Sequence, residues 1–299
     1  ELRTIGTSTI IGANITTNTA QTYGGNMTVS ATSTLTSSNG SITLNNVVGS
    51  GSLTVNAATT TTLTSGKTIT MTGSLTNAGG NFITNGGAIT AGGLIVNGGI
   101  FNSTSAGGTW TIGTSGVSVA SGTTLNATSG NFYIAGDFTN SGTFTHNSGT
   151  VIFNGATQNM AAVSYYNLTI GGTSGTKTLE TGNLVVAGSL TTTQTLSVTT
   201  GYLSVTGASS IGANITTTGY AQTYTGAVTL TNTSTTTLLT GSIVTFSNTL
   251  NGASALTITG NAVFTGTVGA ITALTSLSVS GKSSIGANIT TFGAQTYTG

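Results

Sequence analysis

Short stretches in which apolar residues alternate with threonine or serine run along the whole chain. Examples are GSLTVNA, with Leu53 and Val55, and YLSVTG, with Leu203 and Val205. Because successive side chains of a strand point to opposite faces, both apolar residues of each stretch lie on one face and the hydroxyl on the other. Glycine or asparagine follows most stretches and supplies the backbone conformations that turns require. The pattern predicts many short strands joined by tight turns, and no window has a helical period.

A longer phrase is superimposed on this alternation. IGANITT begins at Ile211 and again at Ile285, and STIIGANITTNTAQTYGG is a looser copy at residues 8–25. Residues 20–42 also align with residues 221–243 without a gap. Self-similarity of this kind indicates a repeat architecture, in which each unit buries its apolar face against its neighbours. The positions that define the phrase are Ile11, Asn14, Ile15, Ile211, Asn214, Ile215, Ile285, Asn288 and Ile289.

The long repeats fall in two parts of the chain, residues 8–65 and 201–299. Residues 66–200 keep the strand rhythm but diverge from the long phrase. We expect one continuous solenoid over residues 1–299, with roughly 20–25 residues per coil. The start at Glu1, without a leader-like segment, indicates a mature or excised piece of a longer chain or fibre.

Composition removes several classes of protein. Only 2% of the residues are charged, against roughly a quarter in an ordinary soluble domain. A net charge of +1 provides no basic surface for nucleic acid, and no apolar run is long enough to predict insertion into a membrane. The chain has no proline and no cysteine, so neither disulfides nor proline breaks constrain it. Its 36% hydrophobic content favours a folded β protein over a disordered chain.

Reactive side chains are too few to predict chemistry. Asp137 and Glu180 are the only internal carboxylates, and His146 is the only histidine. One histidine, two separated acids and no cysteine do not make a metal site, a paired-acid site or a catalytic triad. We therefore predict no catalytic residue, no metal, no cofactor and no enzyme. Trp110 and the pair Tyr165-Tyr166 could stack on sugars, but isolated aromatic residues on strands favour core packing.

Two families of repeats resemble parts of this chain. GAQTYTGAVTL, followed by phrases such as LTITG and TSLSVSG, resembles the repeats of filamentous-haemagglutinin-type bacterial surface proteins. SGTVIFNGATQN, YYNLTIGG and GNLVVAGSLTT, within residues 148–192, are similar to repeats of giant bacterial adhesins. The resemblance implies an all-β fold, a right-handed parallel β-helix (β-solenoid) built from short strands with Gly and Asn turns. It also implies export to the bacterial cell surface or the extracellular space, and it carries no catalytic residues.

The solenoid hypothesis gives the repeat phrase a geometric role. Its isoleucines should stack inside the coils, while its asparagines should lie at the corners in left-handed conformation and bond to the chain. Asn14, Asn214 and Asn288 also head N-x-T sequons and are candidate glycosylation sites. Because neither end of the sequence resembles a cap, we expect each end to meet another coil, of the same chain or of another copy.

We therefore expect a structural segment of a bacterial extracellular fibre or surface adhesin, in which stacked coils form a stiff, uncharged, polar rod. A glycan- or surface-binding adhesin module with a Thr, Asn and aromatic face is the main alternative, with host or surface glycans as partners. Functional amyloid and ice binding are further alternatives, the second because pairs such as Thr143 and Thr145 repeat a T-x-T pattern.

Overall fold

A computed structural model describes residues 1–6, 8–103 and 107–299. Within these ranges the protein consists of strands, turns and loops, without a helix. The strands stack in parallel into a β-solenoid of about 15 turns, which confirms the predicted fold class. Two compact units divide the chain, Glu1–Val151 and Ile152–Gly299.

The first unit contains three stacks of parallel strands, and each turn of the chain contributes to all three. Strands β9, β11, β12 and β14 turn a corner and therefore belong to two stacks each. Stack 1 contains β1 (Leu2–Thr4), β4 (Gln21–Tyr23), β7 (Ile42–Leu44), the ends of β9 (Leu53–Leu63) and β11 (Ser74–Ile83), β13 (Ile100–Asn102), β15 (Thr124–Asn126) and β18 (Thr143–Thr145). Stack 2 contains β2 (Ser8–Ile11), β5 (Asn26–Val29), β8 (Val47–Gly49), β10 (Ile69–Met71), the starts of β12 (Ile89–Val96) and β14 (Trp110–Val119), and β16 (Asn131–Ile134). Stack 3 contains β3 (Ile15–Thr17), β6 (Ser33–Ser37), the starts of β9 and β11, the ends of β12 and β14, and β17 (Phe138–Asn140). Strand β19 (Thr150–Phe153) spans the boundary between the units.

The second unit repeats this plan with three further stacks. Stack 4 contains β22 (Asn167–Ile170), β25 (Leu190–Thr192), β28 (Ser209–Ile211), β31 (Val228–Leu230) and β33 (Leu250–Asn251), and continues through single bridges at Val268 and Ile289. Stack 5 contains β20 (Gln158–Asn159), β23 (Lys177–Leu179), β26 (Leu196–Val198), β29 (Ile215–Thr217), the starts of β32 (Thr237–Phe246) and β34 (Ala255–Phe264), β35 (Ser276–Val279) and β37 (Gln295–Tyr297). Stack 6 contains β21 (Ser164–Tyr165), β24 (Leu184–Val186), β27 (Leu203–Val205), β30 (Ala221–Tyr224), the ends of β32 and β34, and β36 (Ser283–Ile285).

Coil length varies along the chain, as the register of the stacked strands shows. Leu196 pairs with Ile215 one coil later, and Ile215 pairs with Leu239, so the second of these coils is the longer. The coil that joins Val279 to Tyr297 is shorter than either. The lower end of the predicted range, roughly 20–25 residues per coil, was therefore too high. Three-residue strands with tight corners are enough to complete a turn, and the longer coils carry extra residues in loops.

Many strands are three residues long, and in strands such as β26 and β27 the outer two side chains lie inside and the middle one outside. In β13, β15 and β18 the middle side chain lies inside instead. Leu196 and Val198 are buried on either side of Ser197, and Leu203 and Val205 on either side of Ser204. Equivalent inward residues stack from coil to coil, so the core consists of continuous apolar rows. Burial of these rows is the main term that favours folding.

Aromatic side chains extend the rows inside both units. Phe101 and Trp110 meet edge to face at 5.4 Å in the first unit, and Trp110 meets Phe132 at the same distance. In the second unit Tyr224, Phe246 and Phe264 stack face to face at 5.4 and 5.6 Å. Trp110 is fully buried, which confirms the prediction of core packing.

The corners bring successive coils very close together. A Cβ atom on Gly207 would lie 2.4 Å from the carbonyl oxygen of Gly188, and one on Gly226 would lie 2.3 Å from that of Gly207. These glycines occur because a side chain at this corner would collide with the coil below.

Candidate functional site

The repeat phrase lies on strands and the corners between them. Ile211 and Ile215 are fully buried, and Ile11 is nearly so. Ile15 and Ile289 are partly buried, while Ile285, in the last coil, is 50% exposed. The isoleucines of the second copy therefore stack inside as predicted, and those near the two ends of the chain are less covered.

In the first two copies of the phrase, the asparagine bonds to the next coil. Asn14 Oδ1 accepts a hydrogen bond from the backbone N–H of Thr34 at 2.9 Å. Asn214 Oδ1 accepts one from the backbone N–H of Leu238, also at 2.9 Å. Both side chains lie where one strand ends and the next begins, as predicted for corners. Each side-chain carbonyl takes the place of a backbone carbonyl of the β-ladder, because the backbone does not supply an acceptor where it turns.

The predicted left-handed conformation of these asparagines is wrong. Among the described residues, positive φ outside glycine occurs only at Asn85, Asn147 and Ser148. Asn14 and Asn214 act through the amide carbonyl, and bonding across coils needs no left-handed backbone. Glycines supply that conformation instead, as at Gly182 and Gly219.

The same bond between coils recurs at other corners of both units. In each case the Oδ1 of an asparagine accepts the backbone N–H of a residue 19 to 22 positions later. The pairs are Asn46 with Thr68, Asn167 with Ser189, Asn183 with Tyr202, Asn251 with Ile271 and Asn261 with Lys282. Asparagine is therefore a general corner residue of this solenoid.

A buried Gln–Tyr pair is the second recurring polar feature, and it was not predicted from the sequence. In the second unit Gln222 is fully buried, and its Nε2 donates to the carbonyl oxygens of Ile215 at 3.1 Å and Thr240 at 2.9 Å. Tyr224 Oη donates to Gln222 Oε1 at 2.8 Å. Since Ile215 and Thr240 belong to successive coils, the amide of Gln222 links these two coils.

The first unit has the same arrangement at the first copy of the phrase. Gln21 Nε2 donates to the carbonyl oxygens of Ile15 at 3.3 Å and Thr36 at 2.7 Å. Tyr23 Oη donates to Gln21 Oε1 at 2.8 Å. Burial raises the pKa of Tyr23 to about 12 and raises that of Tyr224 further, because a phenolate would lose its hydration in the core. Both phenols are therefore neutral donors at ordinary pH.

The alternation could have revealed this pair. In QTY the glutamine and the tyrosine flank an outward threonine, in the positions that two apolar residues hold elsewhere. A glutamine at an inward position has to find partners in the core, since an unpaired buried amide is costly. The missing information was the location of the partners, which lie on other strands.

The Gln–Tyr pair forms in more than one stack. Gln222 lies in stack 6 above Leu203, whereas Gln295 lies in stack 5 above Leu277. Gln295 Nε2 still donates to the carbonyl of Ile289 at 3.3 Å, and Tyr297 Oη donates to Gln295 Oε1 at 3.1 Å. The phrase therefore encodes a local corner that can be built on more than one stack.

Lys177 is the one lysine buried in the core of the described chain. Its Nζ donates to the carbonyl oxygens of Gly155 at 2.9 Å, Ala156 at 2.5 Å and Ser174 at 3.4 Å. Burial lowers the pKa of this amine, because the charged form is desolvated. The three carbonyl dipoles offset part of that cost, so the lysine closes a corner between two loops.

The remaining ionisable residues form no reactive cluster. Asp137 and Glu180 are exposed and belong to different units. His146 Nδ1 accepts the backbone N–H of Ser148 at 3.0 Å, as a turn residue does. In the part of the chain that the structure describes, no group of three His, Cys, Asp or Glu residues could hold a metal ion. Tyr165 is fully buried and donates to the carbonyl of Ala161 at 2.9 Å, so it lies in the core.

Hydroxyl side chains dominate the outer surface of the strands. Thr191, Ser210 and Thr229 are in register on successive coils of stack 4, and each is the middle residue of its strand. Because the middle residue of each of these three strands points outward, this face carries a single row of hydroxyls, whereas β18 exposes both Thr143 and Thr145, on either side of Phe144. Within the run Thr233, Thr235 and Thr237, the last residue is buried, so this T-x-T pattern does not continue on the surface.

No family model matches the chain, and no curated protein or solved structure matches it either. Over the described residues, no helix has the length and hydrophobicity to cross a membrane.

Proposed function

We propose that the protein is a non-enzymatic structural β-solenoid of a bacterial extracellular fibre or giant surface adhesin, of the filamentous-haemagglutinin-like type. The observation that carries this proposal is the continuity of bonding from coil to coil. Backbone ladders, asparagine corners and Gln–Tyr pairs all join a coil to the next one. A chain held in this way resists bending and local opening, as a load-bearing element must.

The surface chemistry supports the same role. Outward positions carry Thr, Ser and Asn, and the whole chain has only seven acidic, lysine and arginine residues. Such a surface stays hydrated without depending on salt or pH, which suits an extracellular filament. In this proposal the partner is another coil, supplied by the same chain or by a second copy.

The alternatives receive less support. A glycan-binding face should present a repeated row of aromatic side chains. Trp110, Tyr165 and Tyr224 are buried, and the exposed Tyr166, Tyr202 and Tyr220 do not share a register position from coil to coil. Amyloid would stack copies of one short segment, whereas the coils here are successive segments of one chain. A scaffold is therefore the better proposal.

Immunogold electron microscopy of intact source cells, together with negative-stain images of the purified chain, tests the proposal. We expect gold on filaments outside the cell and elongated assemblies of the purified protein. Labelling confined to the cytoplasm, or purified particles that never associate, would contradict it. Specific retention on a glycan array by a protein that forms no assemblies would favour the binding module instead.

A further inference from the structure

Asparagine is followed directly by glycine at five positions of the chain, and such a pair is able to modify itself. The backbone nitrogen of the glycine attacks the side-chain carbonyl carbon, Cγ, of the asparagine, and the product is a five-membered succinimide ring. Glycine favours this attack because it has no Cβ atom to hinder the approach of its nitrogen. The pairs are Asn39-Gly40, Asn85-Gly86, Asn97-Gly98, Asn154-Gly155 and Asn251-Gly252.

Hydrogen bonds hold the glycine nitrogen in three of these five pairs. In each of the three, the N–H of the glycine donates to an oxygen of another residue at 2.8 to 3.1 Å. The bonds join Gly98 N to the carbonyl oxygen of Asn77, Gly155 N to Gln158 Oε1, and Gly252 N to the carbonyl oxygen of Thr272. A nitrogen held in this way reacts only after the bond has opened, which costs free energy.

A closed turn protects the fourth pair. The N–H of Gly87 donates to the carbonyl oxygen of Thr84 at 2.8 Å, and Asn85 and Gly86 lie inside this turn at φ +49° and +73°. Asn85 Nδ2 also donates to the carbonyl oxygen of Leu63 at 2.8 Å. Closure of the succinimide ring needs a rotation about the Cα–C bond of Asn85, and the turn has to open before that rotation occurs.

The fifth pair, Asn39-Gly40, has neither kind of protection. The N–H of Gly40 makes no hydrogen bond to any residue that the structure describes, and neither residue of the pair has a positive φ. Asn39 is exposed, so water reaches its side chain. Asn154 is exposed as well, but its glycine nitrogen is bonded, so exposure alone does not distinguish the two pairs.

We propose that Asn39 is a site of spontaneous, irreversible deamidation in the folded protein, with water as the only co-reactant. The nitrogen of Gly40 loses its proton and bonds to Cγ of Asn39, the bond from Cγ to Nδ2 breaks, and Nδ2 leaves as ammonia. Water then adds to one of the two ring carbonyl carbons, and the bond from that carbon to the nitrogen breaks. Opening at Cγ yields aspartate, whereas opening at the backbone carbonyl carbon yields isoaspartate.

The reaction changes how this corner is joined to the preceding coil. Asn39 Nδ2 donates to Asn18 Oδ1, and a carboxylate has no donor to replace that bond. Deamidation therefore sets two acceptor oxygens against each other and leaves the bond unmade. It also places a negative charge in a segment, residues 4–66, that has no acidic or basic side chain.

Isoaspartate has a second effect, because the main chain then runs through Cβ and Cγ and becomes one carbon atom longer. The added atom lies between Thr36, whose carbonyl oxygen accepts Gln21 Nε2, and Ile42, which pairs with Gln21 in register. The corner that the first Gln–Tyr pair joins is therefore loosened by this product.

The test is a time course with the folded 299-residue chain in mildly alkaline buffer, which favours loss of the amide proton. Digestion with an acid protease and mass spectrometry measure conversion at each of the five asparagines, from the mass gained when OH replaces NH₂. Electron-transfer fragmentation distinguishes isoaspartate from aspartate. We expect Asn39 to convert at least about tenfold faster than the other four, since they react only after a hydrogen bond or a turn has opened.

The same chain in denaturant is the matched control, because it keeps the five Asn-Gly pairs and loses the fold. There all five should convert at similar rates. Equal rates in the folded chain, or faster conversion of another pair, would overturn the inference. A preference for Asn39 that persisted in denaturant would overturn it too, because the local sequence and not the corner would then select the site.

One variant tests the protection itself. Gln158→Met removes the acceptor of the Gly155 N–H, so conversion of Asn154 should rise about tenfold while that of Asn39 stays unchanged. Circular dichroism verifies that the variant is folded, and unfolding would be recognised from a joint rise at all five pairs. An unchanged rate at Asn154 in a folded variant would contradict protection by the hydrogen bond.

Discussion

The buried pair Gln222 and Tyr224 offers the sharpest test of how the coils are held together. Gln222→Met fills nearly the same volume but loses both donated bonds and the bond from Tyr224 Oη. It leaves a buried phenol O–H without its acceptor, at a cost of about 1–3 kcal/mol, and it loses two further bonds of about 1 kcal/mol each. We expect the free energy of unfolding of the second unit to fall by about 3–5 kcal/mol.

A double-mutant cycle measures the pair itself. Tyr224→Phe leaves Gln222 Oε1 without its donor and should cost about 1–2 kcal/mol. Because both single changes destroy the same bond, the double variant should cost at least about 1 kcal/mol less than their sum. Thr223→Ala, at the outward residue of the same strand, is the control and should change stability by less than about 0.5 kcal/mol.

The assay is denaturant unfolding followed by circular dichroism. The dependence of the free energy of unfolding on denaturant concentration is compared between variants, so that a change in cooperativity is recognised. Strict additivity of Gln222→Met and Tyr224→Phe would show that the two side chains are not coupled. A Gln222→Met variant as stable as the parent would refute the role of the amide as a bridge between coils.

Three other perturbations follow from the same contacts. Asn214→Ala should cost about 1 kcal/mol by leaving the N–H of Leu238 without an acceptor, and hydrogen exchange at Leu238 should accelerate; an unchanged rate would contradict the bond. The melting temperature should vary little at neutral and mildly acidic pH but fall from about pH 10 to 12. The reason is that the pKa of Tyr23 is higher in the folded than in the unfolded protein, so its contribution to stability is complete below the unfolded pKa and is lost as the pH rises through the folded pKa. Tyr23→Phe should reduce this fall of the melting temperature, and an equally steep fall in the variant would contradict the role of Tyr23. Trypsin should cleave native protein after the exposed Lys282 before it cleaves after the buried Lys177, and mass spectrometry of early fragments tests the order.

Local pattern was enough to predict the strands and the general fold. The alternation of Leu203 and Val205 around Ser204 specifies an inward and an outward face whatever the surrounding structure. Repeats of such stretches without charge, proline or helical period leave stacking as the way to bury the apolar face. The burial of Trp110 followed from the same reasoning, because an aromatic residue on a strand gains most by packing inside.

The polar contacts were less accessible to prediction. Asn14 and Asn214 were expected at corners, but the sequence did not identify their partners, which lie 20 and 24 residues later. The difference arises from loops that lengthen some coils. A pattern that repeats every two residues carries no information about coil length, so it cannot align one coil with the next.

The sequence by itself determined the strands, the inward residues and the uncharged surface, because each depends on the chemistry of neighbouring residues. Only the tertiary structure decided that the QTY phrase lies in stack 6 at Gln222 and in stack 5 at Gln295. Likewise, only the fold buries Lys177 among the carbonyls of two loops, since a lysine on a polar strand would otherwise remain in water. Hydrogen bonds between coils join residues about one turn apart, and their partners are fixed only when the register of the whole stack is set.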